Sequence, residues 1–252
     1  MADGVLIVTG GSRGIGAATS RLAAASGYAV VINYASDAAT AGSLVSEIVA
    51  AGGRAAAVQA DIGVEADVVR LFEEADQLGP LRGLVNNAGI VDLAARVDAM
   101  SFDRLRRMFD VNALGPIVCS REAVRRMSTG SGGQGGAIVN VSSASAKLGS
   151  PGKYVDYAAA KAAVEGFTVG LALEVIGEGI RVNGVRPGII DTDIHASGGD
   201  PDRVVRVAGQ LPMKRVGLPE EVAQAILWLL SDASSYTTGA ILDVSGGRAV
   251  AP

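Results

Sequence analysis

A chain of 252 residues, 49% hydrophobic and 19% charged, is long enough for one large α/β domain and shows no compositional break, so a single domain over 1–252 is expected. A net charge of −4 without a Lys/Arg stripe excludes a nucleic-acid footprint and a polybasic membrane patch. The lone Cys119 excludes an intrachain disulfide, and neither a leader-like segment nor an apolar run of the roughly 18 to 20 residues of a spanning helix is present, so the cytoplasm is the expected compartment. The expected partners are small molecules or further copies of the chain, not nucleic acid or membrane.

Val5–Val8 is an apolar run without alternation, the pattern of a strand buried on both faces. It runs into Thr9-Gly10-Gly11-Ser12-Arg13-Gly14-Ile15-Gly16, and a helix follows to about Ser26. A strand, a glycine turn and a helix N-terminus together present backbone N–H groups to a pyrophosphate, which makes Gly10, Ser12, Arg13, Gly14, Ile15 and Gly16 candidate cofactor contacts. The spacing is Gly-x-x-x-Gly-x-Gly, so the usual dinucleotide fingerprint fits in its physics only, and a turn that merely lets the helix pack closely is the alternative.

A strand over 28–33, a helix over 37–51 and a strand over 54–59 continue the βαβαβ rhythm. In the common NAD-binding unit an acidic residue ends the second strand and accepts from the ribose hydroxyls; here that end reads Asn33-Tyr34-Ala35-Ser36. No carboxylate stands there to repel a 2′-phosphate and Arg13 could pair with one, so NADP(H) is favoured over NAD(H). The alternative is that Arg13 is a solvated loop charge and Asp37 serves the ribose. Asp61, after the third strand, either accepts from an adenine amino group or simply caps a turn.

A helix over 65–77 stops at Gly79-Pro80, and the fourth strand, 84–85, runs into Asn86-Asn87-Ala88-Gly89. Asn86 is expected to bond neighbouring backbone, and the backbone of 87–89 to floor a ligand crevice. A long helix over 101–127 carries Asn112 in its middle, where asparagine has poor propensity and needs an internal partner. The glycine-rich 128–136 reads as a surface connection into a fifth strand, 137–141, that ends in Ser142-Ser143.

The next helix, to about Ile176, bears Tyr157 and Lys161 at i and i+4, on one face. An ammonium within about 4 to 6 Å typically lowers a phenol pKa by about 1 to 3 units, so the pair suits acid/base catalysis, although such a pair also arises by chance. A sixth strand, 181–186, ends at Pro187-Gly188, and 189–212 is polar enough and long enough to be a lid over a site. His195 lies in it, either touching substrate or, by default, solvated. The helix over 219–230 carries Trp228, expected in the core, and 240–244 is the seventh strand. Strands alternating with helices throughout predict a Rossmann-type, doubly wound parallel sheet of about seven strands, with helices on both faces and ligands at the strand carboxyl ends.

Over essentially its whole length the chain resembles the short-chain dehydrogenase/reductase family. The motifs that carry the match are, in order, Thr9-Gly10-x-x-x-Gly14-x-Gly16, Asp61, Asn86-Asn87-Ala88-Gly89, Asn112, a serine after the fifth strand, Tyr157-x-x-x-Lys161, and Pro187-Gly188 followed by Thr192. The resemblance, strongest to 3-oxoacyl-carrier-protein reductases and glucose 1-dehydrogenases, implies a nicotinamide-dependent oxidoreductase, usually homotetrameric, acting on an alcohol or carbonyl. It implies Asn112, Ser143, Tyr157 and Lys161 as the catalytic set. Tyr157 exchanges the proton, Lys161 tunes it and holds the nicotinamide ribose, Ser143 bonds the substrate oxygen, and Asn112 positions a water. Ile62, Val111, Asn87, Ala88, Gly89, Pro187, Gly188, Ile190 and Thr192 complete the cofactor contacts, the last two beside the carboxamide. The family's usual spacing of thirteen residues from serine to tyrosine falls here on Ala144. One residue inserted at 150–153 moves the serine to Ser143, in preference to Ser142, and strand alternation lets only one of the two face the site. An NAD-dependent sugar or polyol dehydrogenase and a non-catalytic dinucleotide sensor are the alternatives. The small residues Ala162, Gly166 and Gly170 hint at a helix face where another helix packs.

Overall fold

The computed structural model describes residues 4–250. Its centre is the strand Val5–Val8 (β1), every residue of which is buried. Parallel neighbours flank it on both sides, Ala29–Tyr34 (β2) and Leu81–Asn86 (β4), with Ile7 opposite Val31 and Leu84. Arg54–Gln59 (β3), Gly136–Val141 (β5), Ile180–Pro187 (β6) and Ile241–Val244 (β7) complete a seven-stranded sheet of order β3-β2-β1-β4-β5-β6-β7, parallel throughout.

The alternation of β1 sorts the helices. Val5 and Ile7 point into a core shared with Glu65–Asp76 (α3), Gly115–Met127 (α5) and Val155–Val175 (α7), where Phe72, Cys119, Met127 and Val175 lie. Leu6 and Val8 point the other way, against Gly14–Ala25 (α1), Ala38–Ala50 (α2) and Pro219–Leu230 (α10), through Ala23, Ile48, Val222 and Ile226. Because successive strands are added outward on one side of β1 up to β3 and on its other side from β4 onward, the connections leave β1 and β4 on opposite faces, and a crevice opens at the carboxyl ends between them.

Four features differ from the sequence-based expectation. β4 begins at Leu81, concealed in the sequence by Arg82 and Gly83; a Cβ on Gly83 would come 2.5 Å from Leu6 Cδ1, so glycine lets β1 close up. The helix expected over 101–127 is two, Phe102–Phe109 (α4) and α5, joined by a π-turn over Asp110–Leu114. Asn112 Nδ2 donates to Met108 O (3.0 Å), four residues back, and this side chain inserted into its own turn accounts for the widening. Trp228, expected in the core, is 41% exposed, because α10 buries Val222, Ile226, Leu229 and Leu230 and turns the indole outward. The lid is not irregular throughout but carries two short helices after Ala144–Leu148 (α6), namely Ile194–Ser197 (α8) and Arg203–Ala208 (α9). Among the described residues no helix is long and apolar enough to cross a membrane.

Candidate active site

The glycine turn after β1 is stitched to the end of β4 before any ligand is considered. Thr9 Oγ1 accepts from the N–H groups of Asn87 and Ala88, both at 3.0 Å, and Asn87 Nδ2 donates to Thr9 O and Gly10 O at 2.9 and 3.0 Å. Asn33 finishes the seam: its Oδ1 accepts from Gly10 N (3.1 Å) and its Nδ2 donates to Ala60 O (2.9 Å), so its amide holds the loop in shape. Gly10 and Gly14 sit at φ +57° and +49°, and a Cβ on Gly16 would collide with the Gly10 carbonyl. The result is a backbone cradle at the N-terminus of α1.

A cavity of ≈ 360 Å³ runs from this cradle to α7. Every residue expected at the site lines it except Gly16 and Asn112, which lie one layer behind. Side chains at Gly10, Gly14 or Gly89 would intrude on Ala88, Thr192 and Asn112 respectively, each at 2.9 Å, so the floor is bare backbone where a pyrophosphate and a nicotinamide need close approach. The donor set and shape fit a dinucleotide. At the end of the cavity beyond β3, Asp61 is spoken for: its Oδ1 accepts from Gly63 N (2.9 Å) and its Oδ2 pairs with Arg107 Nη2 at 2.8 Å. Arg107 lines the cavity too, a contact with no signal in the sequence because it depends on how α4 lies over the end of β3.

At the far end, strand alternation separates the two serines. Ser142 Oγ is buried and donates to Glu165 Oε1 (2.6 Å), which in turn pairs with Arg186. Ser143 lines the cavity together with Tyr157, caps α6 by accepting from Ser145 N (3.1 Å), and stands near enough to the phenol to favour its ionised form. Tyr154 and Tyr157 share an apolar cluster with Met108, Ile90 and Val91. Lys161 Nζ donates to Val141 O at 2.8 Å and lies 5.8 Å from the Tyr157 ring centre. Asn112 Oδ1 accepts from Ile90 N (3.1 Å), and a Cβ on Gly89 would meet that oxygen at 2.9 Å and Lys161 Nζ at 3.4 Å, so both groups flank Gly89.

The electrostatics depart from expectation. Burial pushes the Tyr157 phenol above its ordinary value, with the neighbouring Ser143 hydroxyl pulling it partly back; the expected lowering by Lys161 is absent. The cause is on the lysine's side: burial lowers its own pKa from 10.5 to about 8, and its ammonium is aimed at a carbonyl rather than at the phenolic oxygen. His195, expected to be solvated, is half-buried in the cavity wall with Nε2 2.9 Å from Ile190 O, and burial lowers its pKa, so it is neutral at pH 7 and donates to that carbonyl.

The lysine carries a stability prediction. A base whose folded pKa is depressed destabilises the fold while it is charged, and that penalty lifts as pH rises from about 8 to 10.5, where the unfolded chain holds the extra proton. At about 1.4 kcal/mol per unit the full effect is about 3 kcal/mol. Urea unfolding of Lys161→Met and the parent is therefore expected to show the variant's relative stability falling by up to that amount between pH 7 and pH 10.5; a constant difference would contradict it.

A parallel doubly wound sheet with a glycine cradle at its switch point, leading to a buried Ser-Tyr-Lys constellation, defines a dinucleotide-dependent oxidoreductase. The chain belongs to the short-chain dehydrogenase/reductase family, residues 10–249 matching the family model described as enoyl-(acyl carrier protein) reductase. It is 53% identical to the uncharacterized oxidoreductase YgfF of Escherichia coli over 97% of this chain and 99% of that one. It is 41% identical to 3beta-hydroxysteroid dehydrogenase 1 of Eggerthella lenta, over 98% and 94% of the respective chains. Among solved structures, a blue fluorescent protein from a metagenomic library, in complex with NADPH, superposes with a TM-score of 0.89 at 37% identity, covering 98% of both chains. The protein is thus an enzyme that uses a nicotinamide dinucleotide to act on CH–OH groups or the corresponding carbonyls.

Proposed function

We propose that the enzyme reduces a small carbonyl compound with NADPH, using Tyr157 as proton donor, Ser143 to hold the substrate oxygen, Lys161 to hold the nicotinamide ribose and Asn112 to support the lysine. The observation that carries this is the convergence of Ser143, Tyr157 and Lys161 on one cavity whose floor is free backbone. When bound, the reduced nicotinamide supplies a hydride. The chain's own residues handle the proton. The raised phenol pKa keeps Tyr157 protonated at neutral pH, which suits donation to an oxygen in the reductive direction. Ser143 fixes that oxygen beside the phenol, and the cluster of Met108, Ile90 and Val91 excludes water from the transfer. Lys161, held on Val141 O, brings its ammonium to the cavity wall beside Tyr157.

The preference for NADPH rests on Arg13 and Asp37. Arg13 lines the cavity beside exposed Ser36, while both carboxylate oxygens of Asp37 are taken by Thr40, its N–H at 3.0 Å and its hydroxyl at 2.7 Å. Those bonds hold the Asp37 pKa below its ordinary value, and the carboxylate is tied to capping α2 rather than free for a ribose. Arg13→Ala is expected to weaken NADPH binding about tenfold, the loss of one charge-assisted contact, while NADH binding shifts less than about threefold. Fluorescence titration with both cofactors measures this; a parent that prefers NADH would overturn the assignment. Assembly as a homotetramer is supported by α7, where Ala162, Gly166 and Gly170 are exposed alongside Val169 and Leu173 at 45% and 74%. A panel of aldehydes, ketones and sugars with each cofactor tests the reaction class.

A further inference from the structure

We propose that Glu165 and Arg186 are positioning residues of the reaction, which clip the end of β5 to α7 through the Ser142 hydroxyl and so fix where Ser143 stands relative to Tyr157 and Lys161; this rests on the carbonyl-reductase reading above. Tyr157, Lys161, Glu165 and Thr168 stand at i, i+4, i+8 and i+11, on one face of α7. That face meets the end of β5 residue by residue. Thr168 Oγ1 accepts from Asn140 Nδ2 at 2.8 Å, Lys161 Nζ donates to Val141 O at 2.8 Å, and Glu165 Oε1 accepts from Ser142 Oγ at 2.6 Å. Tyr157 then shares the cavity wall with Ser143.

Glu165 is itself held from the neighbouring strands. Arg186 of β6 grips it with Nε on Oε1 at 2.9 Å and Nη2 on Oε2 at 2.6 Å, and its Nη1 donates to Asp243 Oδ1 of β7 at 2.6 Å. A fork that engages both carboxylate oxygens leaves the carboxylate one orientation, so Oε1 is presented to Ser142 from a fixed direction. The pair is largely shielded, with 12% of the Arg186 side chain and 18% of the Glu165 side chain exposed. Cohesion alone does not call for it. α7 already buries Val164, Ala172 and Val175, and a shielded ion pair adds little over an apolar contact in stability, whereas it sets direction. The direction matters at Ser143, which stands just past the sheet: Ser142 N donates to Val185 O (2.8 Å), and the chain then turns into α6. A matched arginine lies away from the cavity. Arg126 of α5 also bridges two carboxylates, Asp76 at 2.9 Å and Glu122 at 3.0 Å, with 20% of its side chain exposed, and it lines no part of the cavity.

Glu165→Ala leaves Arg186 paired with Asp243, and Ser142→Ala leaves the Glu165–Arg186 pair intact, so neither strands a charge. Both are compared with Glu165→Gln, Arg186→Lys and, as the control for a lost bridging arginine, Arg126→Gln. With NADPH and a carbonyl that the parent reduces, Glu165→Ala and Ser142→Ala are each expected to lower kcat about tenfold or more, as displacement of a reacting group does. KM and the NADPH dissociation constant stay within about threefold, because the loss falls on the transition state. Glu165→Gln is expected to stay within about threefold of the parent in kcat, since its amide oxygen still accepts from Ser142. Arg186→Lys keeps the charge but loses the fork, and is expected to fall between the two glutamate variants. Amide hydrogen exchange over 139–146, followed by mass spectrometry, reads the clip without turnover and is expected to quicken about tenfold in Glu165→Ala and Ser142→Ala but not in Arg126→Gln. Unchanged exchange in that segment overturns the proposal whatever the kinetics show. So does a kcat loss in Glu165→Ala no greater than in Arg126→Gln, or a rise in KM in place of the fall in kcat. Quickened exchange in an enzyme whose parent reduces no carbonyl leaves the clip standing and rejects the reductase reading instead.

Discussion

Tyr157→Phe is expected to lower kcat about 10³-fold while leaving the cofactor dissociation constant within a few-fold of the parent. The substitution removes one oxygen from a side chain that is otherwise packed against Met108, Ile90 and Val91, so the pocket keeps its shape. What is lost is the proton donor, and a positioned general acid contributes typically 10²- to 10⁴-fold. The Ser143 hydroxyl still caps α6 through Ser145 N (3.1 Å), which keeps the end of β5 in place. Steady-state kinetics on any carbonyl that the parent reduces, paired with a cofactor titration, separates the two effects. Retention of near-parental kcat would remove Tyr157 from the mechanism.

Arg104→Met is expected to cost about 3 to 5 kcal/mol of stability, the usual consequence of stranding one member of a buried ion pair. Asp156 has a side chain with no solvent exposure, and Arg104 Nε holds its Oδ2 at 2.8 Å. The same carboxylate accepts from Tyr157 N (2.9 Å), while Arg104 Nη1 donates to Leu93 O at 2.6 Å. One arginine therefore joins α4, the substrate-side loop after β4 and the first turn of α7 that carries the proton donor. Urea unfolding should show the loss in Arg104→Met and recovery of most of it in Arg104→Met/Asp156→Asn, where no charge is left unpaired. A single variant within about 1 kcal/mol of the parent would contradict the account.

What was legible in the sequence was local or periodic. The buried run of β1, the glycine turn, and Tyr157 one helical turn before Lys161 each lie within a few residues, and the carboxyl ends of parallel strands bring them together without further information. What was hidden depended on distance. The backbone that Asn112 bonds outside its own helix belongs to Ile90, 22 residues away, and Asp156 meets Arg104 from 52 residues away, so neither shows in spacing. The fate of Trp228 turned on which face of α10 met the sheet, and hydrophobicity alone does not say. The direction of the Tyr157 pKa was misjudged for a related reason. Pairing at i and i+4 predicts proximity, but burial is a property of the whole fold, and here it outweighs a cation whose hydrogen bond is spent on Val141 O. That Ser142 and Ser143 turn to different sides follows from alternation along a strand, which is itself local.

The most direct measurement is transfer of label. With NADPH carrying deuterium at the C4 hydride position and a panel of aldehydes, ketones and keto acids, the account predicts that an alcohol product forms with deuterium on its carbinol carbon, detected by mass spectrometry, and that Tyr157→Phe abolishes it. Cofactor binding by the parent with no deuterium in any product, or undiminished labelling by Tyr157→Phe, would contradict it.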